Sequence, residues 1–248
     1  IWMGAAEEAD ATKVPDFSRL SDKGFASTGG TKLVRANYEL ITDNLMDLSH
    51  VGFVHRETIG TTEMGEKGVI KVDRSEQGVR VTRWVIDVPA PPTHAKTGLV
   101  PTDKGVDRWQ IIDFEPPCYV NIYVGSVETG TGAPQGNRQG GVGLWIMNAM
   151  TPIDEETTHY FWGVGRDFNV NSDQATAFIH DEISRTFDED LAILELQQKA
   201  IVQFNHPASV DILADAGGLQ ARRLLRGLID GEHPAESGNR VQQRELAS

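Results

Sequence analysis

Two histidines and an aspartate stand close together in Asp43-Asn-Leu-Met-Asp-Leu-Ser-His50-Val-Gly-Phe-Val-His55. His50 and His55 are five residues apart, and Asp47 precedes the first by three. Neutral imidazoles are good ligands for Fe(II). Two of them with one carboxylate leave a metal face open to dioxygen and a substrate, so the segment reads as half a facial triad. On a regular helix five residues turn through about 500°, which sets the two rings some 140° apart. They share a metal only if the helix breaks or bulges between them, and Gly52 is the expected break. The plainer alternative is that both histidines cap a helix or satisfy core hydrogen bonds.

A third ligand has to be a distant carboxylate, and Asp188-Glu189-Asp190 offers three. With Phe187 at zero and about 100° per residue, Ile183 falls near -40°, Leu194 near -20° and Asp190 near -60°, whereas Asp188 and Glu189 fall near 100° and 200°. Only Asp190 shares the apolar stripe. A carboxylate there costs on the order of several kcal/mol unless it is paired or bound to a metal. Asp47 is close enough to His50 to accept a hydrogen bond from the ring nitrogen turned away from a metal. Asn44, one turn earlier, faces the same way.

The elements that must position these groups are legible in outline. Residues 1–31 read as a remnant strand and linker, followed by an extended run from Leu33 to Leu40. A helix capped by Thr42 or Asp43 then runs to about His50. Gly68 to Val72 and Val79 to Ile86 flank a Glu76-Gln77-Gly78 turn, a hairpin signature. Trp109 to Phe114, Tyr119 to Val127, Val142 to Met150 and His159 to Val164 complete an antiparallel sheet. From Ser172 to about Gln203 the pattern turns helical, and a shorter helix covers Leu219 to Ile229. The catalytic unit is expected over 32–230, with a polar tail over 231–248. Trp84, Trp109, Trp145 and Trp162 read as core, and His94, His159, His180, His206 and His233 receive no role.

Asn44-x2-Asp47-x2-His50-x4-His55 resembles, position by position, the iron-binding motif of Rieske non-haem iron oxygenases. The surrounding Asp43-Asn-Leu-Met-Asp-Leu and Val54-His-Arg56 are similar to the vanillate O-demethylase and dicamba monooxygenase branch. Phe187-Asp-Glu-Asp-Leu-Ala-Ile-Leu-Glu195 resembles the segment that supplies the family's aspartate ligand, with Asp190 in its place. The resemblance implies an α+β helix-grip domain, a large antiparallel sheet curled around a long C-terminal helix. It implies O2-dependent O-demethylation or hydroxylation of an aromatic, carboxylated substrate at Fe(II). Attack on a methoxy carbon gives a hemiacetal that loses formaldehyde. Ring hydroxylation or dihydroxylation by the same ligands is the rival within the class, and a non-catalytic helix-grip module that encloses hydrophobic ligands is the rival outside it.

By the same resemblance Asp47 links the iron to the Rieske cluster of a neighbouring subunit in a homotrimer, with NADH supplying electrons through a ferredoxin or reductase. The 2Fe-2S cluster needs Cys-x-His and Cys-x2-His pairs. This sequence has neither, and Ile1-Trp-Met-Gly4 resembles the strand that follows the family's Rieske domain. That domain is expected upstream, and the chain alone is expected to be inactive with NADH. Asn121 and Asn148 fall where the dicamba branch holds its substrate's carboxylate, although Asn148 replaces a histidine there. The alternative for both is a plain strand-edge amide. Phe53 lies between the histidines, where it lines the pocket or joins the core.

The composition is that of an ordinary soluble globular protein. Of 248 residues 39% are hydrophobic and 24% charged, and the net charge is -13. That charge repels phosphate backbones and anionic lipid surfaces, which argues against nucleic acid and membrane partners. A single cysteine, Cys118, excludes an intramolecular disulfide and a cysteine-rich zinc site, and it suits a reducing cytoplasm.

Overall fold

A computed structural model describes residues 5–64, 68–204 and 211–232. Short single turns over residues 6–20 lead into strand β1, Ala26–Val34. Helix α1, Tyr38–Met46, and the single turn α2, Val51–Val54, follow. Then come β2, Ile70–Arg74; β3, Val79–Val88; and the short helix α3, Pro92–Lys96. Strands β4, Val106–Glu115, and β5, Tyr119–Glu128, precede β6, Val142–Asp154, and β7, Thr157–Arg166. Helices α4, Asp173–Phe204, and α5, Ala216–Glu232, close the chain.

The strands form one antiparallel sheet in the order β1-β7-β6-β5-β4-β3-β2. Its inner face packs against α1, α4 and α5 in an α+β helix-grip arrangement. Alternation puts Ile112 and Phe114 of β4, Val120 of β5 and Leu144 of β6 in the core. They meet Ile179, Ile183, Phe187 and Leu194 of α4 there. Trp109 instead belongs to a smaller cluster with Trp84 and Tyr123, and Arg138 stacks on all three rings. No helix among the described residues is long and apolar enough to cross a membrane.

Two boundaries move relative to the sequence reading. Residues 26–31, read as linker, belong to β1 and pair along their whole length with β7. The first helix starts at Tyr38, not near Thr42, because Asn37 caps it by accepting from the Glu39 N–H at 2.9 Å. Asn is as good a cap as Thr or Asp, and the one used here lies five residues before Thr42. Ile1 to Gly4 and residues 233–248 lie outside the described residues, as do His206 and His233.

The long helix is held in phase at both ends. Arg166, almost fully buried, donates to the carbonyls of Phe168, Asn169 and Ser172 and to Thr176 Oγ1, tying the last strand to the first turn of α4. Farther along α4, Gln198 and Glu195 accept from the N–H groups of Asn37 and Arg35 at 2.9 and 3.1 Å. The rotation of α4 relative to the start of α1 is thereby fixed, and with it the direction of Asp190.

Candidate metal centre

Helix α1 ends at Met46 because Asp47 turns extended, at φ -86° and ψ 122°. Its carboxylate accepts from the Ser49 N–H at 2.6 Å and the Ser49 hydroxyl at 3.0 Å, a side-chain turn that replaces the helix. His50 and His55 then flank the single turn α2 as its two ends. The break therefore falls at 47–49, before the first histidine, and Gly52 sits inside the turn. Gly60 seals the loop: its N–H donates to the His55 carbonyl at 2.7 Å, and a Cβ there would stand 2.2 Å from the Val51 oxygen.

This geometry brings the three expected ligands together. His50 Nε2 and His55 Nε2 are 3.2 Å apart, and Asp190 Oδ1 lies 3.5 Å from the first and 3.0 Å from the second. Bonds of about 2.1 Å meeting at right angles set their donor atoms about 3 Å apart. The three atoms thus suit one face of a six-coordinate ion. Among the described residues they form the one cluster of His, Cys, Asp or Glu that could hold a metal.

Two of the three are braced by a hydrogen bond, His55 by Glu189 and Asp190 by Asn44. Glu189 Oε2 lies 2.7 Å from His55 Nδ1 and also accepts from Thr58 Oγ1 at 2.9 Å. Asp47 Oδ2 lies 3.4 Å from His50 Nδ1, an electrostatic contact without hydrogen-bond geometry. Asn44 Nδ2 donates to Asp190 Oδ1 at 3.1 Å, so Asn44 orients the carboxylate and not the imidazole. Burial pushes the His55 pKa down, but Asp190 and Glu189 outweigh it and hold the ring above its ordinary value. The same two carboxylates favour any cation placed there. Burial likewise raises the Asp47 carboxyl, yet His50 and Ser49 bring it below its usual range.

The triad opens onto a cavity under the sheet, walled by Ile112, Ile122, Val124, Leu144, Ile146 and Phe187. At about 80 Å³ it is smaller than an engineered cavity of about 150 Å³ that takes up benzene, so an aromatic ring enters only as lining side chains swing aside. The residues expected to hold a substrate are not on its wall. Asn121 points to the other face of β5 and donates to Glu115 at 2.6 Å. Asn148 is on the inner face, but its amide donates to the Val120 carbonyl at 2.8 Å and accepts from the Tyr160 hydroxyl at 2.7 Å. Phe53 is 67% exposed. Strand alternation alone does not say which face of β5 meets the cavity, and that is where the sequence reading of Asn121 went astray.

Residues 34–231 match the family model described as the vanillate O-demethylase oxygenase C-terminal domain. The chain belongs to that family. A vanillate O-demethylase oxygenase subunit from Pseudomonas sp. (strain ATCC 19151) is 32% identical over 96% of this chain and 73% of its own length. A toluene-4-sulfonate monooxygenase system iron-sulfur subunit from Comamonas testosteroni is 33% identical over 94% of this chain and 67% of its own length. The crystal structure of dicamba monooxygenase bound to dicamba superposes with a TM-score of 0.82 at 23% identity, covering 94% of this chain and 67% of that one. This last likeness is one of fold.

Two groups that the sequence reading missed complete this vanillate O-demethylase-type domain. Glu189 was set aside because it lies off the apolar stripe, yet it reaches His55 from the flank of α4. The signal was chemical: a ligating imidazole needs a partner for its second nitrogen, and His55 had none assigned. His94, given no role, is buried on the cavity wall with Nδ1 2.7 Å from Ser126 Oγ.

Proposed function

We propose that this domain binds one Fe(II) through His50, His55 and Asp190 and carries out the O2-dependent hydroxylation or O-demethylation of a small aromatic acid. The observation that carries the reading is the convergence of three donor atoms within 3.5 Å of one another on the wall of an apolar cavity. The iron would supply the activation of dioxygen. The chain's own groups do the rest: Glu189 and Asn44 hold His55 and Asp190, Asp47 adds its charge beside His50, and the apolar wall excludes water and seats the substrate carbon beside the three donor atoms.

Electrons would come from NADH through a reductase or ferredoxin and the Rieske cluster of a neighbouring subunit in a cytoplasmic homotrimer. Asn44, Asp47 and His50 support this route, because they line both the cavity and a separate groove of about 620 Å³ between α1, α4 and α5. A partner seated in that groove would lie within reach of a metal ligand.

The test is anaerobic reconstitution with Fe(II) followed by metal analysis. Wild type should retain one iron per chain, and His50→Ala with His55→Ala should retain none. Stoichiometric iron in the double variant would sink the assignment. With the Rieske domain supplied, a methoxybenzoate should release formaldehyde, and ring-hydroxylated product alone would favour the rival within the class.

A further inference from the structure

The cavity that holds the triad is also lined by a cation with no ion-pair partner among the described residues. Arg108 lies on the inner face of β4, in line with Gln110 and Ile112, and is only 4% exposed. Its Nη2 donates to the Ile59 carbonyl at 2.8 Å, whereas Nε and Nη1 have no partner among the described residues. No described carboxylate lies within ion-pair distance. Glu63 is the one acid whose field reaches it, and Arg83 on the neighbouring strand adds a second positive charge. Burial and Arg83 push the guanidinium down to about 9, which leaves it charged at neutral pH.

Among the described residues no carboxylate pairs with it directly. His94, on the same wall, stays uncharged, its pKa pushed down to about 3 by burial and by Arg108 itself. Gln110 spends its carbonyl oxygen on Arg83 Nε at 2.8 Å. A buried cation with idle N–H groups is costly to folding unless something anionic completes it. A guanidinium also matches the planar oxygens of a carboxylate or the flat face of a sulfonate better than any other side chain.

We propose that Arg108 is the residue that anchors the oxyanion of the substrate, a carboxylate or sulfonate carried on an aromatic ring. This rests on the reading of the cavity as the substrate site. It assigns substrate polarity to β4 in place of Asn121, which lies on the other face of the sheet, and Asn148, whose amide is engaged by Val120 and Tyr160. The iron ligands and Arg108 then hold opposite requirements of one molecule, an oxidisable carbon and a negative charge.

The test titrates 4-methoxybenzoate, 4-methoxybenzenesulfonate and the neutral 4-methoxybenzamide calorimetrically into the chain, with and without Fe(II), for wild type, Arg108→Gln and Arg108→Met. Wild type should bind at least one anion about tenfold or more tightly than the amide, and both variants should lose that preference. The ratio between the anions tells which oxyanion fits. Equal affinity for amide and anions in wild type overturns the proposal, whether or not the variants fold. Removing an uncompensated buried charge should also leave unliganded Arg108→Met melting at or above wild type. A lower melting temperature with the preference intact would make Arg108 a strut for Ile59 and refute the anchor. Iron uptake is read separately: anion preference without iron binding refutes the oxygenase reading alone, and full iron binding without anion preference refutes only the anchor.

Discussion

Glu189 Oε2 stands 2.7 Å from His55 Nδ1, on the edge of the ring opposite Asp190, whose Oδ1 stands 3.0 Å from Nε2. Consecutive residues of α4 thus contact one imidazole, the first as a brace and the second as its neighbour in the proposed ligand set. Glu189→Gln should keep the fold but weaken Fe(II) binding by about ten- to a hundredfold, measured by competition with a chromogenic chelator. Asp188→Asn, which touches only Lys32 at the surface, should change nothing. Equal effects from the two would remove Glu189 from the centre.

Asp47 touches His50 without ligating the ion, so metal content and rate should separate. In the enzyme completed with its Rieske domain, Asp47→Asn should keep its iron and lose most product formation. Iron analysis beside formaldehyde yield decides it, and full activity in the variant would refute a role in electron entry.

Gly60 has no room for a side chain, since a Cβ would meet the Val51 and His55 carbonyl oxygens at 2.2 and 2.9 Å. Gly60→Ala has to push α2 outward, at a cost of about 1–3 kcal/mol, and His55 moves with it. Urea unfolding should show the destabilisation and chelator competition a weakened site. Unchanged iron affinity would mean that the loop gives way elsewhere.

His94 carries a pH prediction. Its folded pKa is about 3 against an ordinary 6.5, because burial and Arg108 disfavour the cation. The unfolded chain therefore takes up a proton that the folded one refuses. The stability from this group is complete above about pH 6.5 and lost as pH falls toward about 3, by up to about 1.4 kcal/mol per unit. His94→Gln should gain on wild type in urea midpoint between about pH 7 and pH 5, and a pH-independent difference would contradict the assignment.

The grouping of His50, His55 and Asp190 was legible because it depends on residue type and helical phase. Asp190 could be separated from Asp188 by angle alone, and its 5% exposure agrees. The sheet was legible because β-branched runs alternate between Gly and Pro punctuation. Three features were not. The break at Asp47 depends on a side chain bonding to its own following backbone, which hydrophobic periodicity does not register. The faces of β5 and β6 depend on which side the helices cover. Arg108 escaped notice because a lone arginine in a strand reads as a solvated edge until its burial is known.

The proposed ligands come from two places far apart in the chain: Asp190 follows Glu189, which is itself 134 positions from His55. An ion shared by the α2 turn and α4 acts as a cross-link that closes a loop of that size. Pinning such a loop removes conformational freedom from the unfolded chain worth about 4–5 kcal/mol at most in the chain-entropy picture used for disulfides. With the proposed ligand set, a bound ion would be a clasp as well as a reagent. Without it, the contacts of Glu189 with His55 and Thr58 would remain as the hydrogen-bonded tie between the loop after α2 and α4.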